Sequence, residues 1–211
     1  VESMEYNLSV MMNEIQEMHA EVKRLHDRGI RNQCGKIISK AEDKIHQAKT
    51  MVSVIKVRLI DAAGNAVKTC KEKGKSALIR AVEAMRVSTA LSKIKSGFSH
   101  MSQSMRQSAG QIDVIRGELH EVGGHMKNAG RALLGRSAKQ AGNLETDKGV
   151  LAKLRGFLES CGDTFSKMER NADKLIDKIQ QSEEQTKQKQ SVKSDLRQLK
   201  TERLEKSKAP V

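Results

Sequence analysis

The 211-residue sequence contains no Trp, one Tyr, three Phe and one Pro. Aromatic side chains anchor most ligand pockets and base-stacking surfaces, and only Tyr6, Phe98, Phe157 and Phe165 are available here. Few aromatics and a single Pro in a Lys-, Glu-, Ala- and Leu-rich chain argue against β-sandwiches and most α/β enzymes, and for long helices. No run approaches the roughly 18 uncharged apolar residues of a bilayer span. No basic-then-apolar leader opens the sequence, so no secretion signal is expected. Cys34, Cys70 and Cys161 are odd in number, far apart and outside any CxxC spacing. They read as buried or incidental thiols in a reducing compartment, and a cytoplasmic location is expected.

What the chain does have is heptad periodicity. Met4, Leu8, Met11, Ile15, Met18, Val22 and Leu25 alternate steps of four and three, the stripe of a packed helix. Gly29 and Gly35 bracket a polar segment that predicts the end of this helix and a turn. A second stripe runs through Ile38, Ala41, Ile45, Ala48, Val52, Ile55, Leu59, Ala62 and Ala66. Two stripes joined by a short loop predict an antiparallel hairpin. Placing the turn near residues 31–32 pairs Leu25 with Ile38 and Ile15 with Ala48. It also sets His19 beside Glu42, Glu21 beside Lys44 and Glu5 beside Lys56, whereas a slide of one heptad opposes Arg28 to Lys44.

Beyond Ala66 the phase slips, and Gly64 and Gly74 suggest a kink or a short separate helix over about 75–87, with Ser88 capping the next. From Leu91 a third stripe holds one phase through Ile94, Phe98, Met101, Met105, Ser108, Ile112, Ile115, Leu119, Val122, Met126, Ala129 and Leu133. Glycines 110, 117, 123, 124 and 130 interrupt it without breaking phase, and close packing is the favoured reason over hinges. Residues 135–147 read as a loop, with Thr146 capping a last helix. Its seam is Leu151, Leu154, Leu158, Cys161, Phe165, Met168, Ala172, Leu175 and Ile179. Folding it back opposes Leu133 to Leu154, Met126 to Cys161 and Val122 to Phe165. In the tail, Val192, Leu196, Leu199 and Leu204 suggest an amphipathic helix that frays alone and folds with a partner.

The expected fold is all-α: an elongated antiparallel bundle of coiled-coil hairpins, about four long helices of roughly 35 residues with a kinked connector. Residues 1–190 form one bundle, with a hairpin over about 2–66, a connector over about 67–90 and a hairpin over about 91–180. Residues 191–211 form a basic, partly disordered tail. The packing seam is carried by Leu8, Ile15, Val22, Ile38, Ile45, Val52, Leu119, Met126, Leu133, Leu158, Phe165 and Leu175.

Chemical motifs fail on spacing. His120-Glu121-Val122-Gly123-Gly124-His125 has one residue more than a zincin HExxH, so its histidines lie about 140° apart on a helix. Only unwinding at the double Gly would let one Zn²⁺ take both. Gly74-Lys75-Ser76 ends like a phosphate-binding loop but has Thr69 where that motif needs Gly. His19, His26, His46 and His100 are scattered. No catalytic residue, metal or cofactor is expected.

Charge is the remaining signal. The 39 Lys and Arg exceed the 26 Asp and Glu, a formal net of +13. Residues 1–30 carry a net of −3, with three basic against six acidic side chains, whereas residues 31–60 carry +5, with seven against two. A sequence-independent attraction to nucleic-acid phosphate follows, with Lys36, Lys40, Lys44, Lys49, Lys56 and Arg58 as its candidate residues and the tail second. No helix-turn-helix, zinc finger or basic zipper accompanies it. The narrow, Trp-free stripes suit helix packing rather than a membrane surface.

Two segments, Asn65–Leu78 (NAVKTCKEKGKSAL) and Glu121–Gly135 (EVGGHMKNAGRALLG), resemble an uncharacterised family of helical proteins encoded on conjugative and integrative elements of Firmicutes. The resemblance implies a bacterial setting and an accessory role for a mobile element, and it carries no activity or catalytic residues. The sequence therefore reads as a non-enzymatic helical interaction protein, a mobile-element accessory with weak DNA binding. Its partner through the seams is a second copy or another protein. The alternative is a scaffold whose charge serves solubility alone.

Overall fold

A computed structural model describes residues 1–25, 27–73, 87–133 and 149–206, excepting the side chains of 66, 68–73, 122–133, 182, 183, 186, 187, 189, 190 and 201–206. The protein is all-α. Four helices, and no strand among the described residues, run in the order α1 (Glu2–Lys23), α2 (Arg28–Lys73), α3 (Val87–Leu133) and α4 (Val150–Lys206). The last three span 46, 47 and 57 residues, well beyond the expected 35. The kinked connector and Thr146 fall largely outside the described residues, except that α2 stays helical to Lys73.

Chain contacts group the residues into two compact units. The first comprises Val1–Val52 and Ser96–Glu169, the second Ser53–Lys95 and Arg170–Val211.

In the first unit all four helices contribute, each antiparallel to the next. His19 on α1 meets Glu42 on α2 at 3.0 Å. Gly97 on α3 lies under Met51 of α2, while Ile37 of α2 borders Gln111 and Ile115 of α3. Ser102 on α3 donates its hydroxyl to the Gly162 carbonyl of α4 at 2.8 Å. Lys153 near the start of α4 reaches Glu21 near the end of α1. This is an up-down-up-down bundle. Its core holds Met4, Leu8, Met11, Ile15 and Val22 from α1, and Cys34, Ile38, Ile45 and Val52 from α2. Phe98, Met105 and Ile112 from α3 and Leu154, Leu158, Phe165 and Met168 from α4 are buried among them. Phe98 and Phe165 stack with ring centroids 6.2 Å apart.

In the second unit Ile55 and Ala62 of α2, Val87, Leu91 and Ile94 of α3, and Ala172 and Ile176 of α4 are buried. Lys95 is ion-paired with Asp173. From residue 191 to 200 every side chain of α4 is exposed, and the segment is helical.

The first turn lies elsewhere than the glycines suggest. α1 ends at Lys23, and α2 begins at Arg28 with Gly29 and Gly35 inside it. Asp27 decides this: its carboxylate Oδ1 accepts the Ile30 N–H at 2.9 Å, and its carbonyl accepts the Arg31 N–H. Cys34, one heptad before Ala41, extends the apolar seam through the glycine region, and Ile37 is buried beside it. That burial offsets about 1 kcal/mol lost at each helical Gly. Glu21 is held by Lys153 at 3.4 Å and Arg24 at 3.6 Å rather than by Lys44.

The second hairpin differs more. The expected register set Val122 against Phe165, but Phe165 stacks on Phe98, and Arg155 takes Asp113 at 2.8 Å. The helices are displaced by about three heptads, a slide under which an apolar heptad pattern is unchanged. Ion pairs specify the observed register: Arg155–Asp113, Arg106–Asp163 and Lys95–Asp173. Leu119, assigned to the seam by its spacing, is in consequence 40% exposed, because it lies beyond the level at which α4 begins. Met126 and Leu133 lie outside the described side chains. Leu175 is half-buried and its neighbour Ile176 is buried instead, as a helix of 3.6 residues per turn drifts off a strict 3.5 repeat.

Candidate nucleic-acid interface

The six cations singled out on α2 do not share a face. Measured against the Ile38–Ala41–Ile45 seam, Lys36 and Lys40 occupy the outer side of the helix. Lys44 and Arg58 fall on one flank, which at Met51 and Ile37 faces α3. Lys49 and Lys56 fall on the other, which at Glu42 faces α1. Lys56 and Arg58 are two residues and hence about 200° apart. Lys36, Lys40, Lys49 and Arg58 are exposed, and Lys44 and Lys56 are half-buried. Lys44 donates to Gln47 in its own helix at 3.5 Å. Lys36 through Lys49 belong to the first unit, Lys56 and Arg58 to the second.

The division into units sorts the charge in a way that position along the chain conceals. Segments 1–52 and 96–169 hold 18 Lys and Arg against 16 Asp and Glu, a net of +2. Segments 53–95 and 170–211 hold 21 against 10, a net of +11. Nearly all of the excess therefore belongs to the second unit. On α4 in that unit, Arg170, Lys174 and Lys178 follow one another at four-residue steps on one exposed face, about 6 Å of rise apiece. Lys193 and Lys200 continue the supply of exposed cations farther along the helix. Phosphates on one edge of a nucleic-acid backbone can meet such a row without any base being read.

None of the four aromatic residues lies in segments 53–95 or 170–211. Single-stranded bases have no aromatic platform there, although stacking is what usually binds them, at about 1–3 kcal/mol per base. What the unit offers is exposed positive charge of the kind that backbone phosphate can meet.

α3 stays wound from Val87 to Leu133, so positions 120 and 125 are five residues apart on an intact helix. Gly74-Lys75-Ser76 lies outside the described residues. Among the described residues no group of three or more His, Cys, Asp or Glu is placed to hold a metal ion. Burial pushes the Cys34 thiol up, and burial together with the charge of Glu14 pushes the Cys161 thiol up far more. Both therefore stay protonated at neutral pH and are poor nucleophiles. No helix among the described residues is long and apolar enough to cross a membrane.

The sequence pattern placed the candidate surface on the first hairpin because charge was counted over successive windows, of which residues 31–60 are the most basic. Arg170, Lys174 and Lys178 were visible as a spacing but are interleaved with Asp173 and Asp177, which hides them in any count along the chain. No curated protein and no solved structure matches the chain. A family model matches it over residues 1–211, that of DUF6674, a family of unknown function.

Proposed function

We propose, for a chain that belongs to the family of unknown function DUF6674, the role of a non-enzymatic helical protein that engages DNA through backbone phosphates. The observation that carries this reading is the segregation of charge, +11 in one unit against +2 in the other. Charge needed only for solubility has no reason to collect in one unit. The contact is sequence-independent, because no motif or aromatic platform for base recognition accompanies it. Within the six cations of α2, the weight shifts to Lys56 and Arg58. Arg170, Lys174 and Lys178 join them as the ordered row. The resemblance of Asn65–Leu78 and Glu121–Gly135 to mobile-element proteins supports an accessory role on such an element, in the cytoplasm.

Fluorescence polarisation with a random duplex at low and physiological salt tests the reading. Binding that weakens steeply with salt is expected, with a logarithmic slope of about −0.9 per phosphate neutralised. Reversing Arg170, Lys174 and Lys178 to Glu should lower affinity more than tenfold. Reversing Lys36, Lys40 and Lys44 should cost clearly less. Equal losses would refute the placement, and no binding at low salt would refute the function. A protein-binding scaffold is the second reading, favoured by exposed Val54, Val57, Ile60 and Val67 on α2.

A further inference from the structure

The last stretch of α4 has an apolar face that no described residue covers. Val192, Leu196 and Leu199 are 57%, 62% and 61% exposed. Their spacing of four and three residues aligns them on one side of the helix. Gln185 and Gln188 continue the same side toward the bundle, and together with Val192, Lys193 and Leu196 they border a shallow groove. A polar helix of this length has little stability alone, so a face kept this apolar is costly unless something covers it.

The charges beside the stripe say what fits. With Val192 and Leu199 at heptad positions d and Leu196 at a, Lys193 and Lys200 occupy e and Asp195 occupies g. One flank is thus basic and the other acidic, and all three side chains are exposed. In a parallel pair each g residue meets the e residue five positions on in the partner, which sets Asp195 against Lys200 of the second copy, twice by symmetry. In an antiparallel pair like flanks meet: Lys193 faces Lys193 or Lys200, and Asp195 faces Asp195 or Glu202. The segment is its own complement in one orientation only.

We propose that residues 185–200 of α4 are a self-association seam, pairing in parallel with the same segment of a second copy of this chain. The seam is short. Lys189 and Arg203 hold the neighbouring a positions and limit the apolar contact to Val192, Leu196 and Leu199. A reversible, weak dimer follows, and it forms without nucleic acid.

Sedimentation velocity of the full chain without nucleic acid, over a hundredfold concentration range, should show a monomer–dimer equilibrium. Leu196→Glu with Leu199→Glu should raise the dissociation constant at least tenfold while circular dichroism and the unfolding midpoint of the bundle stay as they were. Asp195→Lys should weaken the dimer severalfold, and adding Lys200→Asp should restore it. In an antiparallel dimer Asp195→Lys would instead strengthen association where residue 195 faces Glu202, and leave it unchanged where residue 195 faces itself. Ile60→Glu, on the exposed row of α2, should leave the equilibrium unchanged. A monomer at every concentration, a dimer indifferent to the Leu196 and Leu199 changes, or one strengthened or left unchanged by Asp195→Lys would each overturn the proposal.

Discussion

Glycines inside long helices test the packing argument most directly, because a methyl group either meets something or does not. Gly110 and Gly117 sit mid-helix in α3, where close packing was the expected reason for them. A Cβ built at either position meets nothing within 4 Å, and the same holds at Gly35 in α2 and Gly156 in α4. Each replacement by Ala removes backbone freedom from the unfolded chain and adds no clash, so each should stabilise by about 0.5–1 kcal/mol. The four together should give about 2–4 kcal/mol, near-additively at these separations, and several degrees in Tm for a protein of this size. Gly162 is the contrast. Its Cβ would stand 3.3 Å from Arg106 Cγ and 3.4 Å from the backbone oxygen of Ser102. Its own carbonyl also accepts the Ser102 hydroxyl, so α3 and α4 cannot separate freely to make room. The helix-propensity gain and the crowding cost there should nearly cancel. Urea denaturation of the five single variants measures the difference. A loss of stability at Gly110→Ala or Gly117→Ala would mean instead that those glycines face a surface or a bend the bundle requires. A full gain at Gly162→Ala would show that the α3–α4 approach is looser than its hydrogen bond implies.

Phe165→Ala should cost about 3–5 kcal/mol, and a double-mutant cycle with Phe98 should return a coupling of about 0.5–1.5 kcal/mol, which the displaced register with Val122 opposite would not give. Asp27→Ala should destabilise by about 1 kcal/mol, measured by thermal unfolding, through loss of the cap on α2. The buried Cys34 and Cys161 have thiol pKa values raised on folding. The unfolded state therefore holds fewer protons once pH passes the ordinary thiol value near 8.5, and stability should be full below it and fall above it. For Cys161 the slope approaches about 1.4 kcal/mol per pH unit, and Cys34 adds to it in the same direction. Denaturation between pH 7.5 and 10 should show the decline, shallower in Cys161→Ala; a variant with an unchanged slope would remove the cysteine from the account.

Much of the fold could be read from periodicity because burial and heptad phase are the same fact seen twice. Leu8, Ile15, Val22, Ile38, Ile45, Val52, Leu158 and Phe165 are all buried. Phase, however, says which side of a helix faces inward and nothing about how far two helices slide. That is why the second hairpin could be drawn with Val122 at Phe165 while the chain puts Phe98 there. The information that settles the slide was present in Asp113, Arg155, Arg106, Asp163, Lys95 and Asp173. It becomes visible only when registers are compared for the ion pairs they form, as the His19–Glu42 contact illustrates in the first hairpin. Glycine misled for a related reason: at Gly29 and Gly35 its propensity cost is real, but Asp27, Cys34 and Ile37 outweigh it together. The candidate site was obscured by a different feature. Charge was summed along the chain, whereas the second unit is assembled from segments more than 70 residues apart in sequence. Pairing 53–95 with 170–211 turns a diffuse excess into a concentrated one, and no linear window spans both.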